Sequence, residues 1–227
     1  MNSFTEFDPL DSSNGLEHEL VEASKKLHIK NILKSYVGMF DVFSETIQNA
    51  LDSIERRQEK ESFKGEISIL IDLDKNQFSI SDNGTGFTPD EFGAFLAPEM
   101  SFNKSLELGT RGNKGVGATY LAYAYNKLWI ETKNEVYVAQ CEFLNGRNWI
   151  EDKDGHFTRP KVRVSKQSNK HFESFSKGAS FTIEFGCNYS RPKGLEYFQA
   201  TTPEQWSFLL RAKTPLGLLD KNTRDID

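Results

Sequence analysis

Strand-like segments follow one another through the second half of this 227-residue chain with no long helical segment between them. Alternating apolar residues, or residues with high β propensity, occur at about 128–132, 135–144, 160–165 and 179–185. Neighbouring parallel strands would need a crossover of about a dozen residues or more, usually a helix. The short connections therefore predict a mostly antiparallel sheet.

The first half of the chain supplies helices and a β-hairpin. Apolar residues recur at helical spacing over 16–33 and again over 36–59, and a third helical segment is predicted over 117–128. Residues 67–80 alternate around a polar turn at 74–77, which is typical of a hairpin. The pattern predicts an α+β two-layer sandwich in which helices back one face of the sheet.

Composition narrows the class of protein. Apolar residues make up 37% and charged residues 27%, as in ordinary globular chains, and every apolar run is far shorter than the roughly 20 residues of a membrane-spanning helix. The net charge of -5 argues against a whole-surface nucleic-acid binder. We expect no membrane contact and, since no signal sequence begins the chain, a cytoplasmic location.

We divide the chain into three parts. Residues 1–34 are predicted to form an N-terminal arm and helix, 35–190 the main domain, and 191–227 a C-terminal helix. The stretch 209–217 resembles the start of a junction into a further region. We therefore expect the sequence to be a fragment of a longer protein.

The second helix carries a polar face opposite its apolar one. Glu45, Asn49 and Asp52 lie on this face at positions i, i+4 and i+7. Two carboxylates and a carboxamide offer the oxygen ligands that Mg²⁺ prefers. A solvated helix face is the alternative explanation.

The hairpin ends in a short polar sequence at 82–86. Asn and Gly adopt the dihedral angles of tight turns, so a simple turn is one interpretation. The other is that Asp82 accepts a hydrogen bond from an exocyclic amine, such as that of adenine, while Gly84 and Gly86 let a ligand approach the backbone. Residues 88–91 form a capping box with proline at the first helical position, which predicts a short helix directly after this turn.

A glycine-rich stretch over 98–117 leads into the third helix. It ends in Asn113, Lys114, Gly115, Val116, Gly117 and Ala118. Closely spaced glycines before a helix N-terminus favour phosphate binding, although this pattern matches neither the P-loop nor the dinucleotide-binding motif. A hinge or a plain helix start is the alternative.

The order and spacing of these three motifs resemble the GHKL superfamily, which includes gyrase B, Hsp90, MutL, the MORC ATPases and sensor histidine kinases. The likeness covers roughly residues 35–186, so the domain 35–190 is similar to a GHKL ATP-binding domain. It implies the Bergerat fold, in which ATP lies between an antiparallel sheet and helices under a glycine-rich lid.

The resemblance also implies a role for individual residues. Glu45 would be the catalytic general base, Asn49 the ligand of Mg²⁺, and Asp82 the adenine contact. The other implied ATP-binding residues are Asp52, Gly84, Gly86, Asn113, Lys114, Gly115, Val116, Gly117 and Ala118. On a late strand the family places a threonine where this chain has Ala179, and Ser180 or Thr182 would replace it.

The function implied by the resemblance is magnesium-dependent ATP binding and slow hydrolysis, which would drive lid closure and formation of a homodimer. Hsp90-like and MORC-like ATPases with this architecture include members of bacterial defence systems. Because histidine kinases usually have Asn at the position of Glu45, hydrolysis is favoured over phosphotransfer. A nucleotide-sensing module without turnover is the alternative, and these motifs do not identify a downstream effector or client.

Seven basic residues cluster in one late stretch of the chain. They are Lys153, Arg159, Lys161, Arg163, Lys166, Lys170 and Lys177. A solvated surface and a contact with nucleic acid or an acidic partner are both consistent with this cluster. The neighbouring Phe172 and Phe175 are predicted to be packing residues rather than a platform for stacking bases.

Overall fold

The computed structural model describes residues 2–3, 18–97 and 116–221. The helices in this part of the chain are α1 (His18–Ser35), α2 (Asp41–Gln58), α3 (Pro89–Leu96), α4 (Val116–Tyr123), α5 (Gly146–Glu151), α6 (Lys170–Glu173) and α7 (Pro203–Lys213). The strands are β1 (Asn2–Ser3), β2 (Ile67–Asp72), β3 (Gln77–Asp82), β4 (Lys127–Lys133), β5 (Tyr137–Leu144), β6 (Val162–Val164) and β7 (Gly178–Glu184). Two 3₁₀ helices, Leu195–Phe198 and Pro215–Lys221, flank α7.

The strands form one sheet in the order β1-β5-β4-β7-β3-β2, and β6 also pairs with β5. Every described pair is antiparallel except β1 with β5. The α+β class and the mostly antiparallel sheet are therefore confirmed. The predicted hairpin is confirmed as well, because β2 and β3 pair from Ile67 opposite Asp82 to Asp72 opposite Gln77.

The two faces of the sheet differ in chemistry, because side chains alternate along each strand. One face packs against the long helices and contributes Phe78, Ile80 and Ile183 to the main core. The other face is polar at its centre, where Ser79 pairs with Thr182 and Ser81 donates to Ser180. Every second side chain of β7 therefore points toward the helices, and the side chains between them point to the polar face.

Helix α2 is fixed over the sheet by its apolar face. Phe43, Ile47 and Ile54 are completely buried, and the Phe43 ring meets the edge of Phe78 on β3 with centroids 4.8 Å apart. Fully burying such side chains contributes about 1.5–3 kcal/mol each. The polar face of α2 is consequently held at a fixed distance from the end of β3.

Helix boundaries follow the sequence signals closely at some ends and not at others. The capping box at the start of α3 is confirmed, because Thr88 and Glu91 bond each other's backbone N–H groups. The predicted helix over 117–128 was too long, since Leu128 lies in β4. No helix among the described residues is both long and apolar enough to cross a membrane.

Candidate functional site

A cavity of about 120 Å³ lies where α2 faces the end of the β3–β7 pair. Its lining residues are Asn49, Asp52, Ser53, Arg56, Asp82, Gly86, Phe87, Phe95, Ala179 and Phe181. Phenylalanine side chains and a few polar groups converge here, as in small-molecule sites generally. Two separate sequence motifs thus reach one cavity: the helix motif through Asn49 and Asp52, and the turn motif through Asp82 and Gly86.

Asp82 is the buried carboxylate of this cavity, with 3% of its surface exposed. It accepts a hydrogen bond from the backbone N–H of Gly84 at 2.9 Å. Burial raises the pKa of Asp82 to about 7, while hydrogen bonds from Gly84, the Ser53 hydroxyl and the backbone of Ala179 oppose that shift. The carboxyl group can therefore change charge near neutral pH.

The turn after Asp82 packs tightly against α2 and β4. A side chain at Gly84 would meet Ser53, and one at Gly86, whose φ is +64°, would meet the backbone oxygen of Lys133 at 2.6 Å. The N–H of Phe87 donates to the Thr132 hydroxyl at 2.9 Å. These contacts give both glycines a packing role, and Gly86 lines the cavity in addition.

The polar face of α2 is half-buried rather than solvated. Glu45 Oε1 accepts a hydrogen bond from the Tyr36 hydroxyl at 3.1 Å, and Glu45 Oε2 occupies the place that a side chain at Gly117 would take. Burial raises the pKa of Glu45 above its ordinary value, and the bond from Tyr36 works against that rise. Asp52 accepts a hydrogen bond from Gln48 at 2.7 Å.

Asn49 has an orphaned polar atom. Its side-chain nitrogen is buried and has no hydrogen-bond partner among the described residues. This nitrogen is a hydrogen-bond donor, so the amide has one donor without a partner in the described part of the chain. A buried polar group without a partner is costly, so a ligand that satisfies the amide would be favoured.

Ser180 and Thr182 do not belong to the cavity. Asp82 pairs with Ala179, so Ala179 and Phe181 face the helices while Ser180 and Thr182 point to the opposite face. There they bond to Ser81 and Ser79 respectively. The structure therefore does not bring either side chain into the cavity beside Asp82, and their support of an adenine contact stays a prediction.

The glycine-rich motif falls partly outside the described residues. The structure does not describe Asn113, Lys114 and Gly115. The first turn of α4 contains Val116, Gly117 and Ala118. Gly117 contacts Glu45, so the third motif does reach the first.

Several cavity residues escaped sequence analysis. Ser53 and Arg56 follow Asn49 at i+4 and i+7, so their helical spacing could have revealed them. Thr132, which is 1% exposed and supports the site without lining the cavity, lies on a strand far along the chain and carried no local signal. It donates to the Gly178 oxygen at 3.1 Å and anchors the turn beside Asp82.

No protein-family model matches this chain, and no curated protein matches it. The function of the cavity therefore has to follow from its own residues and geometry.

The basic stretch is only partly free for a partner. Lys177 pairs with both Glu61 and Glu135, whereas Lys161 and Lys166 are exposed. Phe172 and Phe175 are buried and meet edge to face with centroids 6.2 Å apart, which confirms them as packing residues. A contact between this stretch and nucleic acid stays a prediction.

Proposed function

We propose that this chain binds ATP with Mg²⁺ and hydrolyses it slowly, on a fold of the Bergerat type found in GHKL ATPases. The observation that carries the proposal is the buried Asp82 carboxylate, which shares one cavity with the unpartnered amide of Asn49. Glu45 lies one helical turn before Asn49 on the same helix. Asp82 would contact the adenine base, Asn49 would hold the metal ion, and Glu45 would activate the attacking water.

Asp82 supplies the recognition of the base. An ionised carboxylate only accepts hydrogen bonds, so it favours a ligand edge that presents N–H groups. The exocyclic amine of adenine is such a donor, whereas guanine presents a carbonyl oxygen at the same position. The flanking Phe87 and Phe181 add apolar surface against a flat ring.

Asn49 is the residue that would hold Mg²⁺. Its side-chain oxygen is the atom that would coordinate the ion, because Mg²⁺ takes oxygen ligands and completes its shell with water and substrate phosphates. The unpartnered amide nitrogen would donate a hydrogen bond to a phosphate oxygen. The described residues contain no group of three or more His, Cys, Asp or Glu side chains that could hold a metal, so the nucleotide would bring further ligands. Bound Mg²⁺ would neutralise charge on the phosphates during transfer.

Glu45 is the proposed general base. A carboxyl group with a raised pKa is a stronger proton acceptor than an exposed one, provided that it is ionised at the working pH. The second candidate function is nucleotide sensing without turnover. It is favoured by the contacts of Glu45 with Tyr36 and Gly117, since these would also give the carboxylate a structural role.

Replacing Asn49 by alanine is expected to weaken ATP binding in the presence of Mg²⁺ by about tenfold or more. The physical reason is loss of the only oxygen that the proposal assigns to the metal from the protein. Isothermal titration with ATP, once in Mg²⁺ and once in excess chelator, measures the ATP affinity under each condition. Asn49→Asp is the control, because it keeps an oxygen ligand and should still bind ATP more tightly in Mg²⁺ than in chelator. If Mg²⁺ strengthens ATP binding by Asn49→Ala as much as by wild type, Asn49 is not the metal ligand.

Replacing Asp82 by asparagine is expected to lower ATP affinity by about 1–3 kcal/mol, because a carboxamide can place a donor against the adenine amine. Wild-type affinity should also fall as pH decreases below about 7, since the pKa of Asp82 is about 7 in the free protein and ATP binds the ionised form. Titrations across this pH range test both statements.

The asparagine variant also serves as the reference for pH. Protonation of the ATP phosphates affects wild type and variant equally, so the difference between their affinities isolates Asp82. That difference should shrink as the wild-type carboxyl becomes protonated. Parallel affinity curves at all pH values would show that Asp82 does not contact the base.

A further inference from the structure

Tyr36 lies between two elements of the candidate site. It follows the end of α1, and its hydroxyl donates to Glu45 Oε1 on α2 at 3.1 Å. Its ring stacks on Tyr120 of α4, with centroids 3.9 Å apart and planes 10° from parallel. One side chain thus joins the proposed base to the helix that begins at Val116.

The stacked pair of Tyr36 and Tyr120 is fixed through the contacts of Tyr120 with the core. Tyr120 is 4% exposed, and its hydroxyl lies 3.3 Å from that of Tyr125. Tyr125 in turn donates to the backbone oxygen of Arg191 at 3.0 Å. Since neighbouring buried groups fix the plane of the Tyr36 ring, its hydroxyl is presented to Glu45 in one direction.

The two carboxylate oxygens of Glu45 are treated differently. Oε1 carries the hydrogen bond from Tyr36, and Oε2 lies against Gly117 at the start of α4. A free glutamate side chain samples many rotamers, whereas this one is restrained at both oxygens. Burial raises the pKa of Tyr36 well above its ordinary value, so its phenol stays a donor over the working range.

We infer that Tyr36 is a positioning residue for Glu45: it orients the carboxylate through a hydrogen bond to Oε1 and keeps it aligned with the start of α4. This inference rests on the proposed hydrolysis. It follows a general arrangement in which a catalytic base is itself oriented by a third group. Tyr36 contacts the proposed general base Glu45 and not the reacting atoms. It can therefore affect the reaction only through Glu45.

The central test is Tyr36→Phe, which keeps the ring on Tyr120 and removes only the hydroxyl. We expect ATP turnover to fall about tenfold, with ATP affinity within about twofold of wild type, because orientation of the base matters in the transition state and not in ground-state binding. Phosphate release at saturating ATP and isothermal titration give the two quantities separately.

Tyr125→Phe is the matched control. It also removes one buried hydroxyl of the same cluster, but that hydroxyl bonds the Arg191 backbone and not Glu45. We expect a lower melting temperature with turnover within about twofold of wild type. Equal loss of turnover in Tyr125→Phe and Tyr36→Phe would overturn the inference, because general loosening of the cluster would then explain both.

The pH profile of turnover offers a readout that a merely structural role would not move. Within the described ranges, the titratable groups facing Glu45 are Tyr36 from the segment after α1, Asp41 from α2 and Tyr120 from α4. Of these, Tyr36 is the one whose hydrogen bond favours the ionised carboxylate. Its loss should raise the pKa of Glu45 and shift the acid limb of the profile to higher pH. An unmoved acid limb would overturn the inference.

A double variant separates this inference from the proposed function. In a Glu45→Gln background, Tyr36→Phe should cause no further loss of turnover, since its effect passes through Glu45. Additive losses would overturn the inference and leave the ATPase proposal intact. If wild type and Glu45→Gln hydrolyse ATP equally slowly, the hydrolytic function itself fails and the positioning role fails with it.

Discussion

Glu45→Gln is expected to lower ATP turnover by about 100-fold or more, while ATP affinity stays within a few-fold of wild type. Glutamine keeps the shape of the side chain and an oxygen for the Tyr36 hydrogen bond, so the packing against Gly117 is preserved. It cannot take a proton from water. The loss would therefore appear in the transition state and not in ground-state binding.

Steady-state phosphate release and isothermal titration on the same preparations measure the two quantities. Glu59→Gln is the matched control, because it removes an exposed carboxylate at the end of the same helix and should leave both unchanged. Equal, slow turnover in wild type and Glu45→Gln would favour the sensing module. Loss of ATP binding in Glu45→Gln would instead make Glu45 a structural residue of the site.

Gly178→Ala is expected to destabilise the protein by about 3 kcal/mol or more. Gly178 begins β7 with φ of +130°, and a side chain there would collide with the backbone oxygen of Asp82 and lie 3.0 Å from the Cα of Asn83. Both the dihedral and the collision are unfavourable. Because the collision is with the backbone at the end of β3, the candidate site should be displaced as well.

Gly155→Ala is the control for the dihedral alone. Gly155 also has a positive φ, +76°, but nothing lies within 4 Å of the position that a side chain would occupy. Its replacement should cost about 1 kcal/mol. Urea unfolding of both variants measures the difference, and equal destabilisation would show that the backbone contact at Asp82 contributes nothing.

Local patterns predicted the parts of the fold that depend on local chemistry. The alternation over 67–80 indicated the hairpin that ends at Asp82, and the capping box at 88–91 indicated α3. Helical periodicity placed Glu45 and Asn49 on one face of α2. These elements were predictable because each depends on residues only a few positions apart.

The differences between expectation and structure have physical causes of two kinds. Ser180 and Thr182 lie outside the cavity because Phe181 and Ile183 occupy the apolar face of β7 and the residues between them point to the other face. The helix predicted to reach Leu128 was too long because an apolar run alone does not separate a helix from a buried strand. The contacts of Tyr36 with Glu45 and Tyr120 depend on tertiary packing, and no local spacing encodes them.

The cavity beside Asp82 is the proposed binding site for the adenine base of ATP. Isothermal titration of the protein with ATP in the presence of Mg²⁺, repeated with GTP and with the Asp82→Asn variant, tests it most directly. We expect one ATP bound per chain, weaker binding of GTP, and a loss of about 1–3 kcal/mol for ATP in the variant. Absence of ATP binding by the folded wild-type protein, or equal ATP affinity in wild type and Asp82→Asn, would contradict this assignment.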